Sequence, residues 1–352
     1  MARLKSETPE ALGFRMPAEW EPHEATWIAW PHERSDWPGK FETIRWVYGE
    51  VVRWLSQVER VRILVQSPDE AEAARKVLTK AGATMEAVEF FISRTDRSWT
   101  RDYCPMFVRN RAGEVGAVDW RFNGWAKYPN HKADEAAGAL VARRLGVRSW
   151  QPKLVLEGGS IDVNGAGTLL TTEECLLSPV QARNPGLSRE EIESELRNYL
   201  GVKKILWLKN GIAGDDTHGH VDDLARFVDS STVVIASERD PSDANYQALR
   251  ENLRLLKRMS DQDGRPLRVI PLPMPRPLYF NGQRLPASYA NFYLSNRLVL
   301  VPTFNDPNDR KALNLLARLF TGRNIIGVHS VDLVLGLGTM HCMTMQEPQK
   351  LS

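Results

Sequence analysis

The sequence predicts an α/β fold, and two observations carry that prediction. Short apolar runs rich in β-branched residues have the length and composition of buried strands. Between them lie longer segments with apolar residues at three- and four-residue spacing, as in helices that pack one face on a sheet. Because the two kinds of segment alternate along the whole chain, the pattern favours an α/β protein.

The predicted elements recur at a spacing of roughly 40–70 residues, which would permit a repeated module. Strands are predicted over residues 61–66, 90–92, 153–156, 204–208, 232–236, 298–301 and 324–328. Helices are predicted over residues 69–81, 133–145, 188–200, 244–259 and 308–320. Residues 68–70, Pro-Asp-Glu, supply helix-start chemistry, and Ser188 with Glu191 matches a capping box. The absence of a glycine-rich phosphate-binding motif disfavours nucleotide folds.

The composition is that of an ordinary globular protein of 352 residues, 42% of them hydrophobic and 26% charged. Since 46 Lys and Arg residues face 44 Asp and Glu residues, the formal charge is +2, and we expect neither nucleic acid nor a membrane as a partner. The N-terminus lacks the apolar core of a signal peptide. Three cysteines, Cys104, Cys175 and Cys342, are too few for a disulfide framework and indicate a reducing, cytoplasmic compartment.

Two segments combine carboxylates with features suited to binding a flat cation. In residues 97–103, Trp99 offers a stacking surface and Asp102 a charge-assisted hydrogen bond; the alternative is a surface turn with an Arg101–Asp102 ion pair. In residues 154–163, Glu157 ends a predicted strand and precedes two glycines, which let a backbone approach closely. Glu157 is thus a candidate site residue, and the alternative is a turn that ends the strand.

A third segment, residues 214–223, holds two histidines and four aspartates within ten positions. One interpretation is a metal site of His218, His220 and Asp222, because the string is similar to the T-H-x-H-x-D-H signature of metallo-β-lactamase-type hydrolases, although Asp223 replaces the final histidine. The other interpretation makes His220 an acid and base and Asp222 a ligand for a cationic substrate. On an extended segment these two side chains would project to the same face.

The fourth segment, residues 336–345, places Cys342 in a stretch that is expected to be extended and follows a glycine turn. A thiol needs a positive neighbour to become a nucleophilic thiolate, and the third segment supplies an imidazole. We therefore interpret Cys342 as the nucleophile. His341 would point to the opposite face of a strand and is interpreted as structural, and Cys104 and Cys175 as packing residues.

These four segments, together with residues 16–31 and Phe122-Asn-Gly-Trp125, resemble the agmatine deiminase and Porphyromonas-type peptidylarginine deiminase family of the guanidino-group-modifying pentein superfamily. The resemblance runs from about residue 16 to 348. It implies a five-bladed α/β propeller with pseudo-fivefold symmetry. It also implies one catalytic domain over residues 1–352, with residues 1–15 as an N-terminal extension, and covalent thiol catalysis without a metal or other cofactor.

By position in the family motifs, the resemblance implies a catalytic set in which His220, hydrogen-bonded to Glu157, transfers protons. Asp102 and Asp222 would grip the guanidinium, and Asp216 would bind an amine at the far end of the substrate. His218 stands where agmatine deiminases carry Asn, which weakens the metal interpretation. The implied catalytic residues are Cys342, His220, Glu157, Asp102 and Asp222, and the implied substrate-binding residues are Trp99, Asp102, Asp216 and Asp222.

The resemblance favours hydrolysis of agmatine to N-carbamoylputrescine and ammonia, with this small guanidine as the partner and a homo-oligomer compatible with the sequence. A peptidylarginine or other guanidine deiminase is the alternative, because Lys127 and Lys132 in the loop 124–132 could admit a carboxylate. Residues 336–340 also depart from the family's Gly-Gly-Gly-Asn-Ile. A metal-dependent hydrolase using His218, His220 and Asp222 and a catalytically silent binding protein are further alternatives.

Overall fold

The structure, a computed structural model, describes residues 7–351. Strands and helices alternate throughout these residues, so the predicted α/β class is confirmed. The helices are α1 (Phe41–Leu55), α2 (Pro68–Ala81), α3 (Thr100–Tyr103), α4 (Lys132–Leu145), α5 (Glu173–Leu177), α6 (Arg189–Leu200), α7 (Tyr246–Leu256) and α8 (Pro307–Leu319). The strands are β1 (His23–Ala29), β2 (Arg60–Val65), β3 (Val88–Ile92), β4 (Met106–Arg109), β5 (Val115–Val118), β6 (Arg148–Trp150), β7 (Asp162–Val163), β8 (Thr168–Thr172), β9 (Lys204–Leu208), β10 (Ala225–Phe227), β11 (Thr232–Ser237), β12 (Arg268–Pro273), β13 (Tyr279–Phe280), β14 (Gln283–Arg284), β15 (Tyr293–Leu294), β16 (Leu298–Thr303), β17 (Asn324–His329) and β18 (Met345–Pro348).

One arrangement recurs in five sheets of the part of the chain that the structure describes: an antiparallel pair of strands is extended by a parallel strand. A helix leads into the parallel strand, because parallel neighbours need a crossover connection. The five units are β4–β5–α4–β6, β7–β8–α6–β9, β10–β11–α7–β12, β15–β16–α8–β17 and β18–β1–α1–β2, the last extended by β3. Since β18 pairs with β1, the C-terminal strand joins the sheet of the N-terminal one.

Most predicted elements are present with small shifts at their ends, and the capping box of Ser188 and Glu191 is formed. The helix predicted over 244–259 is the shorter α7. The strand predicted over 153–156 is wrong. Val155 makes only an isolated bridge with Arg121, because the Asn184 side chain binds both the N–H and the C=O of Val155 at 2.9 Å.

The N-terminal strands of the antiparallel pairs, β4, β7, β10 and β15, were not predicted. Each has only two to four residues, which is too short to show the alternation or the apolar run by which a strand is recognised in a sequence. Their side chains are nevertheless buried, and each follows one of the segments that hold site residues. These short strands therefore fix where the loops before them enter the interior.

The predicted N-terminal extension, residues 1–15, falls partly outside the described residues, since 1–6 are not among them. Its remaining part packs on the first repeated unit, where Phe14 contacts the Trp150 ring at 5.2 Å between centroids. Arg15 also forms an isolated bridge with Arg109. None of the helices within residues 7–351 combines the length and hydropathy that crossing a bilayer requires.

Candidate active site

The site residues lie in five short segments, each of which precedes the first strand of an antiparallel pair in a different sheet. This common position explains how segments far apart in the sequence meet. Asn291 was not singled out from the sequence, although it occupies the same position in its unit as the other four. The residues are Asp102 before β4, Glu157 before β7, His220 and Asp222 before β10, Asn291 before β15 and Cys342 before β18.

Cys342 is buried, with only 7% of its surface exposed, and its thiol lines a cavity of about 320 Å³. It lies in a turn, closed by the Met343 N–H donating to the Thr339 carbonyl at 3.2 Å, and not in the extended stretch that was expected. The Asn291 amide donates to Sγ at 3.1 Å, and the thiol lies 3.7 Å from Asp222 Oδ2. The sulfur is therefore held between an amide donor and a carboxylate.

Trp99 and two glycines build the wall of the cavity beside the thiol. Trp99 is 5% exposed and packs on Trp37, with 5.5 Å between ring centroids. A Cβ atom at Gly338 would lie 2.8 Å from the Trp99 ring and 2.9 Å from the Cys342 Cβ, and one at Gly336 would lie 2.7 Å from Trp99. Glycine is needed at both positions because any side chain would displace the ring or the thiol.

His220 is fully enclosed by acidic side chains. Its Nε2 lies 3.6 Å from Glu157 Oε2, and its Nδ1 lies 3.9 Å from Asp102 Oδ1 and 4.0 Å from Asp222 Oδ1. The expected hydrogen bond to Glu157 is not formed at these distances, and neither ring nitrogen has a hydrogen-bond partner among residues 7–351. Although burial disfavours the charged ring, the charge of Asp102 and contacts with Cys175 and Glu157 hold the pKa of His220 well above its usual value. The imidazole is thus poised as an acid.

The prediction of an extended backbone at His220–Asp222 is also wrong, since Val221–Asp223 forms a turn of 3₁₀ helix. The two side chains nevertheless lie close together, with 4.0 Å between His220 Nδ1 and Asp222 Oδ1. Asp222 Oδ1 has no hydrogen-bond partner among the residues described. An ionised, buried oxygen without a donor is costly, and it marks a place where a ligand donor fits.

The remaining carboxylates of the site have opposite pKa shifts. Burial, only partly offset by His220, raises the pKa of Asp102 to about 6. For Glu157 burial is outweighed by the Arg183 guanidinium, 3.1 Å away, which lowers its pKa to about 2. Burial and the nearby carboxylates of Asp222, Asp223 and Asp102 raise the pKa of the Cys342 thiol well above its usual value. Without a cationic ligand, this thiol stays protonated.

His341, expected on the opposite face from the thiol, instead shares Asp222 with it. Its Nδ1 lies 2.7 Å from Asp222 Oδ2 and its Nε2 lies 2.7 Å from Glu19 Oε2. Glu19 in turn pairs with Arg226 at 2.9 Å. A turn allows neighbouring side chains to point inward together, which a strand does not, and the sequence interpretation missed His341 for that reason.

The Asp216 carboxylate at the outer part of the cavity is contacted by Tyr128 and Lys127. Asp216 and Tyr128 line it, and the Tyr128 hydroxyl donates to Asp216 Oδ2 at 2.6 Å. The Lys127 ammonium contacts the other oxygen of Asp216. Lys132, which we expected to act with Lys127, points away: it is 77% exposed and pairs with Glu135 at 3.2 Å.

The residues proposed for a metal site are not brought together. His218 faces Ser178, 3.2 Å from its hydroxyl, and Glu174, at 3.8 Å, and not Asp222. Within residues 7–351, three potential ligands do cluster elsewhere: atoms of Glu157, Cys175 and His220 lie within 4.8 Å of one another. Cys175, interpreted from the sequence as packing, is thus a buried neighbour of the imidazole, and Cys104 is buried as expected.

Comparisons with known proteins identify one family and several similar structures. The sequence matches the Porphyromonas-type peptidyl-arginine deiminase family over residues 15–348. It is 37% identical over 365 residues to an agmatine deiminase of Pseudomonas aeruginosa, covering 97% of each chain. The structure is similar to that of the agmatine deiminase of Enterococcus faecalis, with a TM-score of 0.91, 34% identity and full coverage of both chains. It is also similar to a C. jejuni agmatine deiminase with substrate bound, with a TM-score of 0.87, 31% identity and coverage of 96% and 97%.

Proposed function

The chain belongs to the Porphyromonas-type peptidyl-arginine deiminase family, and from this premise we propose that it hydrolyses agmatine to N-carbamoylputrescine and ammonia. One observation carries the proposal. Around Asp222, which lies 3.7 Å from the Cys342 thiol, buried polar atoms of Asp222, Glu157 and His220 lack hydrogen-bond partners among the residues described. A guanidinium is planar and presents five N–H donors, so it pairs with carboxylates that are left open in this way.

Docking of the guanidinium rests on Asp102 and Asp222. Asp102 is held in place by the Trp125 indole N–H at 2.8 Å and the Gly159 N–H at 3.0 Å. Asp222 is fixed through Oδ2 by His341, which leaves Oδ1 open. Two fixed carboxylates would hold the planar cation beside the sulfur and against Trp99, and orientation of this kind lowers the barrier to attack.

Binding of the substrate would also activate the nucleophile. In the free site, burial and three carboxylates keep the thiol protonated. A bound guanidinium neutralises those carboxylates, which lowers the pKa of Cys342, and the thiol proton leaves to solvent. Asn291, which donates to Sγ at 3.1 Å, then stabilises the thiolate.

The reaction would proceed in two covalent steps. Cys342 Sγ bonds to the guanidine carbon, and the protonated His220 donates its proton to the leaving nitrogen as the C–N bond breaks and ammonia departs. A thiouronium remains on the sulfur. Water then attacks the same carbon while His220 removes one of its protons, and the C–S bond breaks to restore the thiolate. The second water proton is lost to solvent, and the neutral urea product leaves.

Asp216 is the proposed contact for the terminal amine of agmatine, as a carboxylate that lines the outer part of the cavity. Peptidylarginine or free arginine would instead bring a carboxylate or a peptide group to this position. Ammonia release from agmatine, free arginine and C-terminal-arginine peptides distinguishes these substrates. We expect activity on agmatine that is lost in Cys342→Ser, and activity confined to the carboxylate-bearing substrates would contradict the assignment.

We further propose that the five units surround the site as the blades of a propeller and form one catalytic domain over residues 1–352. The recurring strand pattern and the common position of the site loops support this arrangement. A cytoplasmic location fits catalysis by a reduced thiol in a chain whose three cysteines are unpaired. The metal-hydrolase alternative has less support, because His218 faces away from Asp222.

A further inference from the structure

The loop of residues 123–128 touches both ends of the proposed substrate site. Trp125 and Ala126 both adopt left-handed backbone angles, with φ of 57° and 53°, next to Gly124 at 67°. Such angles are uncommon for residues with a side chain, so the surrounding contacts must hold them. The Asn123 side chain accepts from the Ala126 N–H at 2.9 Å, and the Tyr128 N–H donates to the Gly124 carbonyl at 2.9 Å.

This turn places side chains two and three positions apart on two different carboxylates, since Trp125 contacts Asp102 and both Lys127 and Tyr128 contact Asp216. The Trp125 indole donates to Asp102 Oδ2 at 2.8 Å, at the end of the cavity that holds the thiol. Tyr128 donates to Asp216 Oδ2 at 2.6 Å, and the Lys127 ammonium takes the other oxygen of Asp216. Both oxygens of the proposed amine-binding carboxylate are therefore engaged before any substrate arrives.

The group on Asp216 is chemically the same as the one that the substrate would bring. A lysine side chain ends in a primary ammonium on a chain of methylene groups, and so does agmatine. We propose that Lys127 is an internal stand-in for the substrate amine: it occupies Asp216 in the free enzyme, is displaced by the amine of agmatine, and so sets the selectivity for the substrate tail. This inference rests on the proposed function.

The exposure of the pair makes displacement feasible. The Asp216 side chain is 13% exposed and the Lys127 side chain 42%, so Lys127 can turn into solvent while Asp216 stays in the cavity wall. Tyr128 keeps its hydrogen bond to Asp216 during the exchange and holds the carboxylate in place. A guanidine without an amine cannot replace Lys127, and a carboxylate tail would leave Lys127 on Asp216.

If Lys127 must leave Asp216 before agmatine binds, the apparent affinity for agmatine is the intrinsic affinity multiplied by the fraction of enzyme in which Asp216 is free. We therefore expect Lys127→Met to lower the KM for agmatine by about two- to fivefold, the range of a partly exposed ion pair. Lys132→Met, in the same loop, removes the same charge from a side chain that points away, and it should leave KM as in the wild type. Butylguanidine, which lacks the amine, should show no gain in either variant.

The test is completed by introducing Lys127→Met into an enzyme that already carries Asp216→Asn. If Lys127 acts through Asp216, Lys127→Met has no effect on the KM for agmatine once Asp216 is replaced. An equal decrease in KM in that background, or for butylguanidine, would overturn the inference in favour of a general charge effect, as would an unchanged or higher KM in Lys127→Met alone. Failure of the wild-type enzyme to release ammonia from agmatine would instead refute the proposed function.

Discussion

Replacement of Arg183 by Met should expose how much the site depends on one buried ion pair. Arg183 and Glu157 both have side chains with 0% exposure, and their contact is 3.1 Å. Removal of the arginine leaves a buried carboxylate without its partner. Such a loss typically destabilises a protein by about 3–5 kcal/mol, because the remaining charge stays desolvated.

The pKa of Glu157 reports the net effect of burial, Arg183 and His220 on the ionised carboxylate. It lies at about 2 instead of the usual 4.5. At about 1.4 kcal/mol for each tenfold change in proton affinity, this corresponds to roughly 3 kcal/mol. Because the pKa is lowered in the folded state, that stabilisation is full above about pH 4.5 and is lost as the pH falls through about 2.

In Arg183→Met the pKa of Glu157 shifts in the opposite direction. Without Arg183, the effect of burial on Glu157 is opposed only by His220, so the pKa of Glu157 rises and the variant is destabilised most at neutral and higher pH. The difference from the wild type should narrow as the pH falls through the raised pKa, since protonation removes the unpaired charge. A protonated Glu157 also supports His220 less, and the acid limb of the pH–rate profile should move to higher pH.

The free energy of unfolding of the wild type and of Arg183→Met can be measured by urea titration at several pH values, with tryptophan fluorescence as the signal. Arg189→Met is the matched control, because Arg189 contacts Glu173 at 2.8 Å but the two side chains are 38% and 27% exposed. Its cost should stay below about 1 kcal/mol, as is usual for exposed pairs. Equal stabilities for the two variants, or a loss of stability in Arg183→Met that does not change with pH, would show that the buried pair does not stabilise the fold in this way.

Three further predictions follow from the same geometry. The rate of Cys342 alkylation by iodoacetamide in the free enzyme should rise throughout the alkaline range, because the pKa of this thiol is raised; a plateau near neutral pH would contradict this. His341→Gln should lower kcat by about 10–100-fold, the usual cost of losing a group that orients a reacting side chain, while mass spectrometry still detects alkylation of Cys342; wild-type kcat would show that Asp222 needs no such support. Added zinc should inhibit by binding Glu157, Cys175 and His220, and Cys175→Ala should weaken that inhibition; equal zinc sensitivity in Cys175→Ala would exclude this site.

The local patterns in the sequence predicted the longer elements well. Strands such as β9 and β11 and helices such as α2 and α6 depend on their own apolar spacing and caps, which a sequence displays directly. The segment 153–156 failed because the hydrogen bonds of Val155 go to Asn184, 29 positions away. No local pattern encodes such a partner.

Site residues that lie in distinctive local motifs could likewise be predicted from the sequence, whereas those that depend on distant parts of the chain could not. The motifs around Asp102, Glu157, His220 and Cys342 could be found because each combines unusual residues within a few positions. Asn291, in contrast, stands in a segment with no other unusual residue. Its signal is its place in the repeat, directly before a short buried strand, and that signal appears only once the five units are aligned.

Residues that support the site by contacting other site residues could not be identified from the sequence, for a further reason. Arg183 and Glu19 are ordinary charged residues in the sequence, and their importance comes from being buried beside Glu157 and His341. Burial of a charge depends on the whole fold, so it could not be inferred from neighbours in the chain. The Lys127–Asp216 pair likewise joins positions 89 residues apart.

The most direct test of the account is the mass of the enzyme quenched with acid during turnover of agmatine. A thiouronium on the nucleophile predicts a species heavier by agmatine minus one ammonia, located by peptide mapping on Cys342 and absent from Cys342→Ser. Turnover without any such species, or an adduct on Cys175 or Cys104, would contradict catalysis by this sulfur.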